Sequence, residues 1–184
     1  MSTQPRLHDL GEIEAAVWRE LAGAVRDKAH AWRVAVLATT DGVQADARSV
    51  ILRDVDAAAR TLLIYTDARS PKAQQLAAHP LGTLVLWSPA LAWQLRLRVA
   101  LSLHTTGLQV TSRWARIKLT PAAQDYMAAQ APGAPLDAPP LATEGRAHFA
   151  VVVAQVQSID WLELKPSGHR RAVFGGAGGC WVAP

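Results

Sequence analysis

The chain has 184 residues, of which 50% are hydrophobic and 18% charged, and this composition predicts a single domain with a substantial core over 1–184. No apolar run reaches the ~20 residues of a membrane-spanning helix, and the net charge of +4 comes without the dense basic runs of nucleic-acid-binding proteins, so neither a membrane nor a nucleic acid is expected as a partner. Cys180 is the only cysteine, which excludes an intrachain disulfide, and the N-terminus has no signal-peptide pattern, so a cytoplasmic location is expected.

The first predicted element is an amphipathic helix over about 10–29, with Asp9 placed to cap its N-terminus. Its apolar stripe recurs at three- and four-residue steps and consists of Leu10, Ile13, Val17, Leu21 and Val25. A strand rich in β-branched and apolar residues follows over 32–40. The Asp-Gly pair at 41–42 predicts a hairpin turn into a second strand over 43–53.

The next predicted elements are a third strand over 61–67 and a short helix. Ser70 is the expected N-cap of this helix, Pro71 its first residue and Pro80 its end. Residues 109–130 have helical spacing interrupted by a proline and form a predicted helical insert. The remaining predictions are strands over 81–87, 91–103, 148–164, 169–174 and 180–184, and a proline-rich loop over 131–147.

This order of elements predicts a mainly β fold with flanking helices. Dense antiparallel hairpins joined by short turns close most easily as a barrel. A parallel α/β fold needs a crossover helix between almost every pair of strands, and the chain does not supply these helices. We therefore expect an antiparallel β-barrel.

Four cationic residues lie within residues 47–76, where two predicted strands meet the start of a helix. They are Arg48, Arg53, Arg69 and Lys72. Solubility is one explanation, and a site for a phosphorylated ligand is the other. Strand alternation places Arg48 on a face that is otherwise apolar, where an unpaired charge is unfavourable. Asp46 and Asp67 are candidate partners for it, and reaching out to water is the alternative.

Ser70 and Lys72 lie where the second predicted helix begins. A helix N-terminus presents free N–H groups and the positive end of the helix dipole, so it favours an anion. Lys72 in the first turn opposes that dipole and is unfavourable unless an anion binds nearby. The alternative is that Lys72 points into solvent at small cost.

The later strands add a second group of candidates. Gln94 begins the polar face of the strand over 91–103, and its carboxamide can both donate to and accept from the edge of a heterocycle. A half-exposed barrel strand is the alternative explanation. Trp161, followed by Arg170 and Arg171, supplies the indole and guanidinium groups that can stack against a flat ligand.

Standard catalytic motifs are missing from the sequence. It contains no GxGxxG, P-loop or GxSxG motif and no pair of histidines at metal-ligand spacing. No metal site is therefore expected, and any redox chemistry would have to come from a cofactor.

Several of these segments, in this order, resemble the motifs of the pyridoxamine 5'-phosphate oxidase family, the FMN-binding split barrels. The matching segments are RSVILR (48–53), YT (65–66), SPK (70–72), LAWQLRL (91–97) and WLELKPSGHRR (161–171). The resemblance extends from about residue 15 to 184. Within the family, the chain resembles the Alr4036-type branch more closely than the true oxidases. It implies an antiparallel split β-barrel that forms a homodimer, with FMN bound at the subunit interface.

The resemblance also implies a set of cofactor-binding residues. Arg48, Ser70 and Lys72 would hold the FMN phosphate, and Trp161 with one of the two late arginines would come from the partner subunit. The full set of implied FMN-binding residues is Arg48, Ser49, Val50, Ile51, Arg53, Tyr65, Thr66, Ser70, Lys72, Gln94, Trp161, Arg170 and Arg171.

The chain departs from the family pattern at the phosphate motif and at the substrate clamp. Pro71 replaces a phosphate-binding arginine, for which Arg69 is a candidate substitute. Of the family's Tyr-Arg-Ser clamp for the substrate phosphate, Tyr126 is kept, whereas Gln130 and Ala134 occupy the other positions. The resemblance therefore implies an FMN-dependent oxidoreductase for an unidentified small substrate rather than for vitamin B6. The alternative is a non-catalytic flavin-binding or haem-binding carrier or sensor.

Overall fold

The computed structural model describes residues 6–136, 148–176 and 178–184. Its strands are β1 Val34–Thr40, β2 Ala45–Asp56, β3 Thr61–Asp67, β4 Leu81–Ser88, β5 Trp93–His104, β6 Phe149–Glu163, β7 Arg170–Gly175 and β8 Gly178–Val182. Its helices are α1 Leu10–Arg26, α2 Pro71–Ala78 and α3 Leu108–Ile117, with 3-10 turns at Ala31–Arg33 and Pro121–Tyr126.

The antiparallel sheet closes on itself. Its strand order is β3-β2-β1-β4-β5-β6-β7-β8, and β3 also pairs with β6, from Thr61 opposite Gln155 to Asp67 opposite Phe149. The strands from β3 to β6 in this order therefore form a closed barrel, and β7 and β8 extend the sheet beyond it. The predicted mainly β fold, an antiparallel split β-barrel with flanking helices, is confirmed.

The hairpin between β1 and β2 forms where the Asp-Gly pair predicts it. The Asp41 carboxylate accepts hydrogen bonds from the backbone N–H groups of Val43 and Gln44 at 2.9 and 2.8 Å. Gly42 has a φ of 94°, a conformation that favours glycine because other residues carry a Cβ. The second strand starts later than predicted and runs beyond residue 53 to Asp56.

Two predicted boundaries near the N-terminus are wrong. Asp9 caps α1 as expected, accepting from the Glu12 N–H at 3.0 Å, but the helix ends at Arg26 because Asp27 is extended, with φ −99° and ψ 116°. The predicted strand over 32–40 begins only at Val34. Its first residues form a 3-10 turn instead, which buries the Trp32 side chain completely.

The core fills the barrel and the space beneath α1. The apolar stripe of α1 meets the inward-facing residues of the strands, because helix and strand periodicities each place their apolar side chains on one face. Fully buried members of this core include Ile13, Val17, Leu21, Leu37, Leu52, Leu84, Leu95, Leu97 and Ile159.

The predicted helical insert packs beside the barrel as a second apolar cluster. Phe149 at the start of β6 contacts the rings of Tyr65, Tyr126 and Trp114, with centroids 5.0, 5.2 and 5.3 Å away. This cluster fixes α3 and the following 3-10 turn against β3. Residues 137–147 of the predicted proline-rich loop lie outside the described residues. None of the described helices has the length and apolar character to span a membrane.

The outer face of β1, β2 and β4 is apolar and exposed. Val34, Val36, Ile51 and Trp87 are 50%, 41%, 37% and 43% exposed. Strand pairing joins these residues, because Val34 lies opposite Ile51 of β2 and Val36 lies opposite Val85 of β4. Contiguous exposed apolar surface of this kind is typical of an interaction site.

Candidate functional site

A cleft of about 380 Å³ lies where β1, β2 and β3 meet the first turn of α2 and the 3-10 turn Pro121–Tyr126. Small-molecule sites commonly have volumes of ~300–1,000 Å³. Its lining residues are Val34, Ser49, Val50, Ile51, Arg53, Tyr65, Lys72, Asp125 and Tyr126. The structure thus brings together most of the predicted site residues from the first half of the chain.

Sequence reasoning missed two of the lining residues, Val34 and Asp125. Strand alternation could have found Val34, because it faces outward from β1 opposite Ile51. Asp125 precedes the predicted Tyr126, and its exposed carboxylate gives no sequence signal of its own.

Lys72 turns into this cleft instead of pointing into bulk solvent. Its Nζ donates to Thr66 Oγ1 at 2.9 Å and lies 3.5 Å from Ser70 Oγ, and the two hydroxyl oxygens are 3.2 Å apart. Ser70 is the N-cap residue of α2, yet its hydroxyl makes no capping hydrogen bond. Since Thr66 and Ser70 are only 2% and 1% exposed, these donors are held rigidly beside the helix N-terminus.

The positive charge of Lys72 has no acidic partner among the described residues, where no carboxylate lies within 4.0 Å of Nζ. Burial lowers the pKa of Lys72, and the nearby charge of Arg48 lowers it further, whereas the charges of Asp67 and Asp46 oppose the shift without cancelling it. The net direction reflects a cation that is partly desolvated and close to a second cation. A bound anion would relieve both effects, which makes this position suited to a phosphate group.

Arg48 directs its guanidinium toward α2. It forms a salt bridge with Asp46, and it donates to Thr39 Oγ1 at 2.6 Å and to Gln75 Oε1 at 3.0 Å. Of the candidate partners that the sequence left open, the structure therefore selects Asp46 and not Asp67. Arg48 is held by protein groups, and it is not a lining residue of the cleft.

Arg69 is engaged elsewhere and does not replace the arginine that Pro71 displaces. Its guanidinium lies 2.7 Å from the Asp67 carboxylate and donates to the backbone carbonyls of Ala128 and Ala129, both at 2.9 Å. Although burial would raise the pKa of Asp67, the hydrogen bonds from Arg69 lower it overall. Arg69 thus ties the segment after the 3-10 turn to the end of β3.

Arg53, Tyr65 and Tyr126 form a second group of cleft-lining residues. The Arg53 guanidinium carbon lies 5.4 Å from the centroid of the Tyr65 ring, and Nη2 lies 3.4 Å from the Tyr126 hydroxyl oxygen. Burial raises the pKa of both tyrosines, so both hydroxyls stay protonated at neutral pH and can donate hydrogen bonds.

The cleft is therefore lined by two cationic side chains, Lys72 and Arg53, and by apolar residues of β1 and β2. In the described part of the chain, no group of three His, Cys, Asp or Glu side chains could hold a metal ion. The donor set matches a flat organic ligand that carries an anionic group.

Comparison with known proteins places this geometry in a family. Residues 15–105 match the sequence model of the pyridoxamine 5'-phosphate oxidase FMN-binding domain, a segment that contains β1 to β5 and most of the cleft. This chain is a pyridoxamine 5'-phosphate oxidase-like split barrel. No curated protein matches its sequence.

Solved structures show the same fold as this pyridoxamine 5'-phosphate oxidase-like barrel. A pyridoxamine 5'-phosphate oxidase-related, FMN-binding protein from Nostoc punctiforme has a TM-score of 0.72 at 22% identity, over 92% of this chain and 96% of that one. PhzG from Burkholderia lata, solved with tetrahydrophenazine-1-carboxylic acid, has a TM-score of 0.76 at 14% identity over 100% of both chains. At these identities the likeness establishes the fold, and the Alr4036-type branch stays a prediction.

The pyridoxamine 5'-phosphate oxidase-like barrel keeps the late-chain candidates away from the cleft. Gln94 lies on the outer face of β5, opposite Trp87 of β4 and Leu162 of β6. Arg171 lies opposite Leu162 on the same outer face and binds the Asp160 carboxylate at 2.7 Å. These residues form a polar continuation of the exposed apolar face.

Trp161 faces the opposite way. Its side chain is fully buried and packs between Trp93 and Trp181, with ring centroids 5.4 and 6.3 Å away. It has no exposed surface in this chain to offer a flat ligand. The alternation of β6 explains this placement, because Ile159, Trp161 and Glu163 share the inward face of the strand.

Arg170 belongs to a buried ion-pair cluster at the end of β6. Its guanidinium lies 2.9 Å from Glu163, which also pairs with Arg6 at 2.9 Å and Lys165 at 3.3 Å. Burial alone would raise the pKa of Glu163, but hydrogen bonds and charges from these cations lower it to about 2. Arg170 also donates to the Leu7 carbonyl at 2.6 Å, so the cluster fastens the N-terminal segment to the barrel.

Proposed function

We propose that this chain is an FMN-dependent oxidoreductase that acts as a homodimer on an unidentified small substrate. One observation carries the proposal: Lys72 is half-buried at the cleft without a salt-bridge partner among the described residues, and its ammonium is within hydrogen-bond distance of the hydroxyls of Thr66 and Ser70. A cluster of donors with excess positive charge fits the phosphate of a mononucleotide.

Lys72, Ser70 and Thr66 would hold the FMN phosphate at the start of α2. Arg48 would act on the phosphate through its positive charge and not through direct hydrogen bonds, because its guanidinium is already hydrogen-bonded to Thr39 and Gln75. Pro71 removes one N–H from the first turn of α2, so the side-chain donors would have to supply more of the binding than in a helix without proline.

The flavin ring would lie along β2, where Ser49, Val50 and Ile51 line the cleft, with Tyr65 beside it. These strand residues would position the ring and exclude water from one of its faces. Bound FMN supplies two-electron chemistry, accepting a hydride from a reduced small molecule or from a reduced nicotinamide. The chain itself would supply orientation and electrostatics; apart from Arg53, the ionisable side chains that line the described cleft are Lys72, Tyr65, Tyr126 and Asp125.

A second copy of the chain would complete the site. The cleft opens beside Val34 and Ile51, which belong to the exposed apolar face, and Gln94 and Arg171 lie farther along the same side of the sheet. Two such faces packed around a twofold axis would bring the partner's polar continuation toward the cleft. This arrangement supports FMN at the subunit interface, with Gln94 and Arg171 as the contributions of the second copy.

Vitamin B6 is not the proposed substrate. Gln130 and Ala134 occupy the clamp positions, are exposed, and add no charge to the cleft. A charged hydrogen bond to a phosphate contributes about 1.5–3 kcal/mol, so their absence weakens binding of a phosphorylated substrate considerably. The same absence favours the second candidate function, a flavin-binding carrier or sensor without turnover.

Steady-state reduction of the FMN-loaded protein distinguishes the two functions. The loaded protein would be mixed with NADH, NADPH or a panel of reduced aromatic compounds, and flavin bleaching and reoxidation would be followed by absorbance. Repeated turnover supports the oxidoreductase, whereas stable one-to-one FMN binding without turnover supports the carrier. A protein that binds no FMN contradicts both functions.

The cytoplasm stays the predicted location.

A further inference from the structure

We propose that four tryptophans form a path for one-electron transfer between the core and the surface, so that an oxidation of the core ends at Trp181. In order along this tryptophan path, the residues are Trp32, Trp93, Trp161 and Trp181. No step of the path uses a flavin, so the inference is independent of the proposed function.

The four indoles form a continuous series of ring contacts. The ring centroids of Trp32 and Trp93 are 6.4 Å apart, those of Trp93 and Trp161 are 5.4 Å apart, and those of Trp161 and Trp181 are 6.3 Å apart. These separations are within the range of direct aromatic contact. Electron transfer depends on orbital overlap and is therefore most efficient between rings in contact. The rings come from the 3-10 turn before β1 and from β5, β6 and β8, so the closed sheet brings them together.

The tryptophan path leads from the inside of the barrel to solvent. Trp32 and Trp161 are fully buried and Trp93 is 7% exposed, whereas Trp181 is 46% exposed. An electron removed from any of the three buried rings can consequently be replaced from the surface, by transfers between neighbouring indoles.

Two of the buried indoles have no acceptor for their N–H protons. Nε1 of Trp32 and Nε1 of Trp161 are buried and make no hydrogen bond in the described part of the chain. Such unpaired donors are uncommon, because buried indole N–H groups usually have a partner. An oxidised indole is strongly acidic at this N–H, and it passes its positive charge on only while no base removes the proton. The missing acceptors therefore favour transfer over trapping at these two rings.

Trp93 has an acceptor, but this acceptor is a weak base. Its Nε1 donates to Glu163 Oε1 at 3.4 Å. Although burial would raise the pKa of Glu163, hydrogen bonds and charges from the neighbouring cations lower it to about 2. A carboxylate with so low a pKa has little tendency to take a proton, while its negative charge favours a positive charge on the nearby ring.

Arg170 makes the end of the tryptophan path depend on proton loss. Its guanidinium carbon lies 5.5 Å from the ring centroid of Trp161 and 5.7 Å from that of Trp181. A cation beside a ring opposes positive charge on that ring, and the salt bridge to Glu163 offsets only part of this effect. Trp181 is exposed, so it can release its Nε1 proton to water and become a neutral radical, which the buried Trp161 cannot do.

Electrons and protons balance with an oxygen-derived radical as oxidant and a soluble thiol as reductant. An alkoxyl radical takes one electron from a buried indole and one proton from water, giving an alcohol and a hydroxide ion. Each indole is then reduced by the next, until Trp181 is oxidised and its Nε1 proton neutralises the hydroxide. A thiol returns one hydrogen atom to Trp181, and two thiyl radicals couple to a disulfide. The core is thus restored at the expense of soluble thiols.

Light-triggered oxidation of the flavin-free full chain beside Trp32 tests this inference. A ruthenium polypyridyl photo-oxidant would be attached through Ala31→Cys at an exposed position, with Cys180→Ser removing the native thiol. Flashes with a soluble electron acceptor generate the oxidant, and peptide mass spectrometry without added thiol shows which tryptophans are oxidised. We expect several-fold more oxidation at Trp181 than at Trp87, which is comparably exposed at 43% but lies outside the tryptophan path. The same complex free in solution should oxidise both residues equally. Equal oxidation in the labelled chain would overturn the inference.

Matched variants locate the tryptophan path. Trp161→Phe keeps an aromatic ring in the core but removes the indole, so oxidation of Trp181 should fall to the level of the unlabelled chain. Trp114→Phe removes a buried indole from the second apolar cluster and should leave oxidation of Trp181 unchanged. Undiminished oxidation of Trp181 in a folded Trp161→Phe variant would contradict the path.

Trp181→Phe tests the same path without a change in the core, because Trp181 is partly exposed. In this variant the oxidation has no exposed end, so it should accumulate on Trp32, Trp93 and Trp161. A short flash should also leave a longer-lived tryptophan radical in transient absorbance. Unchanged oxidation of the buried indoles and an unchanged radical lifetime would show that Trp181 is not the end of the path.

Discussion

The ammonium of Lys72 lies 2.9 Å from the hydroxyl oxygen of Thr66, at the point where β3 gives way to α2. The strand buries Thr66 and the helix begins with the Ser70 cap, so a short turn brings both hydroxyls to the same cation. The resulting cluster has a net positive charge in a partly buried place, which is the condition for binding an anion.

Replacing Lys72 by Met should weaken FMN binding by about 2 kcal/mol, roughly 30-fold, because a charge-assisted hydrogen bond to the phosphate is lost. The free energy of unfolding should stay the same or rise, since a half-buried cation without a salt-bridge partner is removed. Flavin fluorescence quenching and urea unfolding measure the two quantities. The exposed Lys28→Met is the control, and equal FMN affinity in the two variants would exclude a phosphate at Lys72.

The affinity for FMN should fall as the pH rises through the lowered pKa of Lys72. Burial and Arg48 lower this pKa below 10.5, so the free protein loses the ammonium proton at a lower pH than an exposed lysine does. The phosphate binds the protonated form, and binding above that pKa therefore requires proton uptake. Dissociation constants from neutral pH to about pH 10 should rise for the native chain and stay flat for Lys72→Met. Parallel curves for the two proteins would count against the assignment.

Glu163 should stabilise the fold at neutral pH and lose that effect in acid. Its pKa in the folded chain is lowered from 4.5 to about 2, so its contribution is complete above pH 4.5 and disappears as the pH falls toward 2. Glu163→Gln should lower the free energy of unfolding by about 3 kcal/mol at neutral pH, because it leaves Arg170 and Arg6 unpaired.

The pH dependence of this variant provides its own check. Between pH 4.5 and 2, urea unfolding of Glu163→Gln should lose less stability than that of the native chain. Glu12→Gln, in the exposed first turn of α1, is the control and should follow the native curve. A steep acid transition that persists in Glu163→Gln would show that other carboxylates govern it.

Trp87→Asp should dissociate the proposed dimer and weaken FMN binding together, because the apolar face and the cleft are continuous. Trp87 is 43% exposed on β4, so the change introduces a charge without opening a cavity in the core. Sedimentation velocity and FMN titration measure the two effects. Leu119→Asp, at a position that is 89% exposed beyond α3, should change neither. A Trp87→Asp variant that remains dimeric would contradict the proposed interface.

Most of the barrel could be predicted from the sequence because its signals are local. The apolar stripe of α1, the Asp-Gly turn at 41–42 and the Pro71 and Pro80 boundaries of α2 each depend on neighbouring residues. The 3-10 turn around Trp32 was missed, because its apolar residues fit a strand equally well. Tertiary packing of the indole decides that segment.

The site was harder to predict, because its geometry depends on long-range pairing. Alternation places Arg53 on the same face of β2 as Ser49 and Ile51, but only the folded chain brings Tyr65 and Tyr126 to its side. Trp161 shares its face of β6 with the acid Glu163, and the other face carries Asp160 and Leu162, so the sequence could not show which face is buried. Arg69 forms a salt bridge with Asp67 across a turn, a contact that strand alternation does not predict. Lys72 was predictable, because its conflict with the helix dipole is local.

Titration of the purified, flavin-free chain with FMN tests the central claim most directly. The account predicts quenched flavin fluorescence at one FMN per chain, and a loss of affinity of roughly 30-fold in Lys72→Met. Unquenched fluorescence across the titration, with no flavin absorbance retained by the protein after gel filtration, would contradict it.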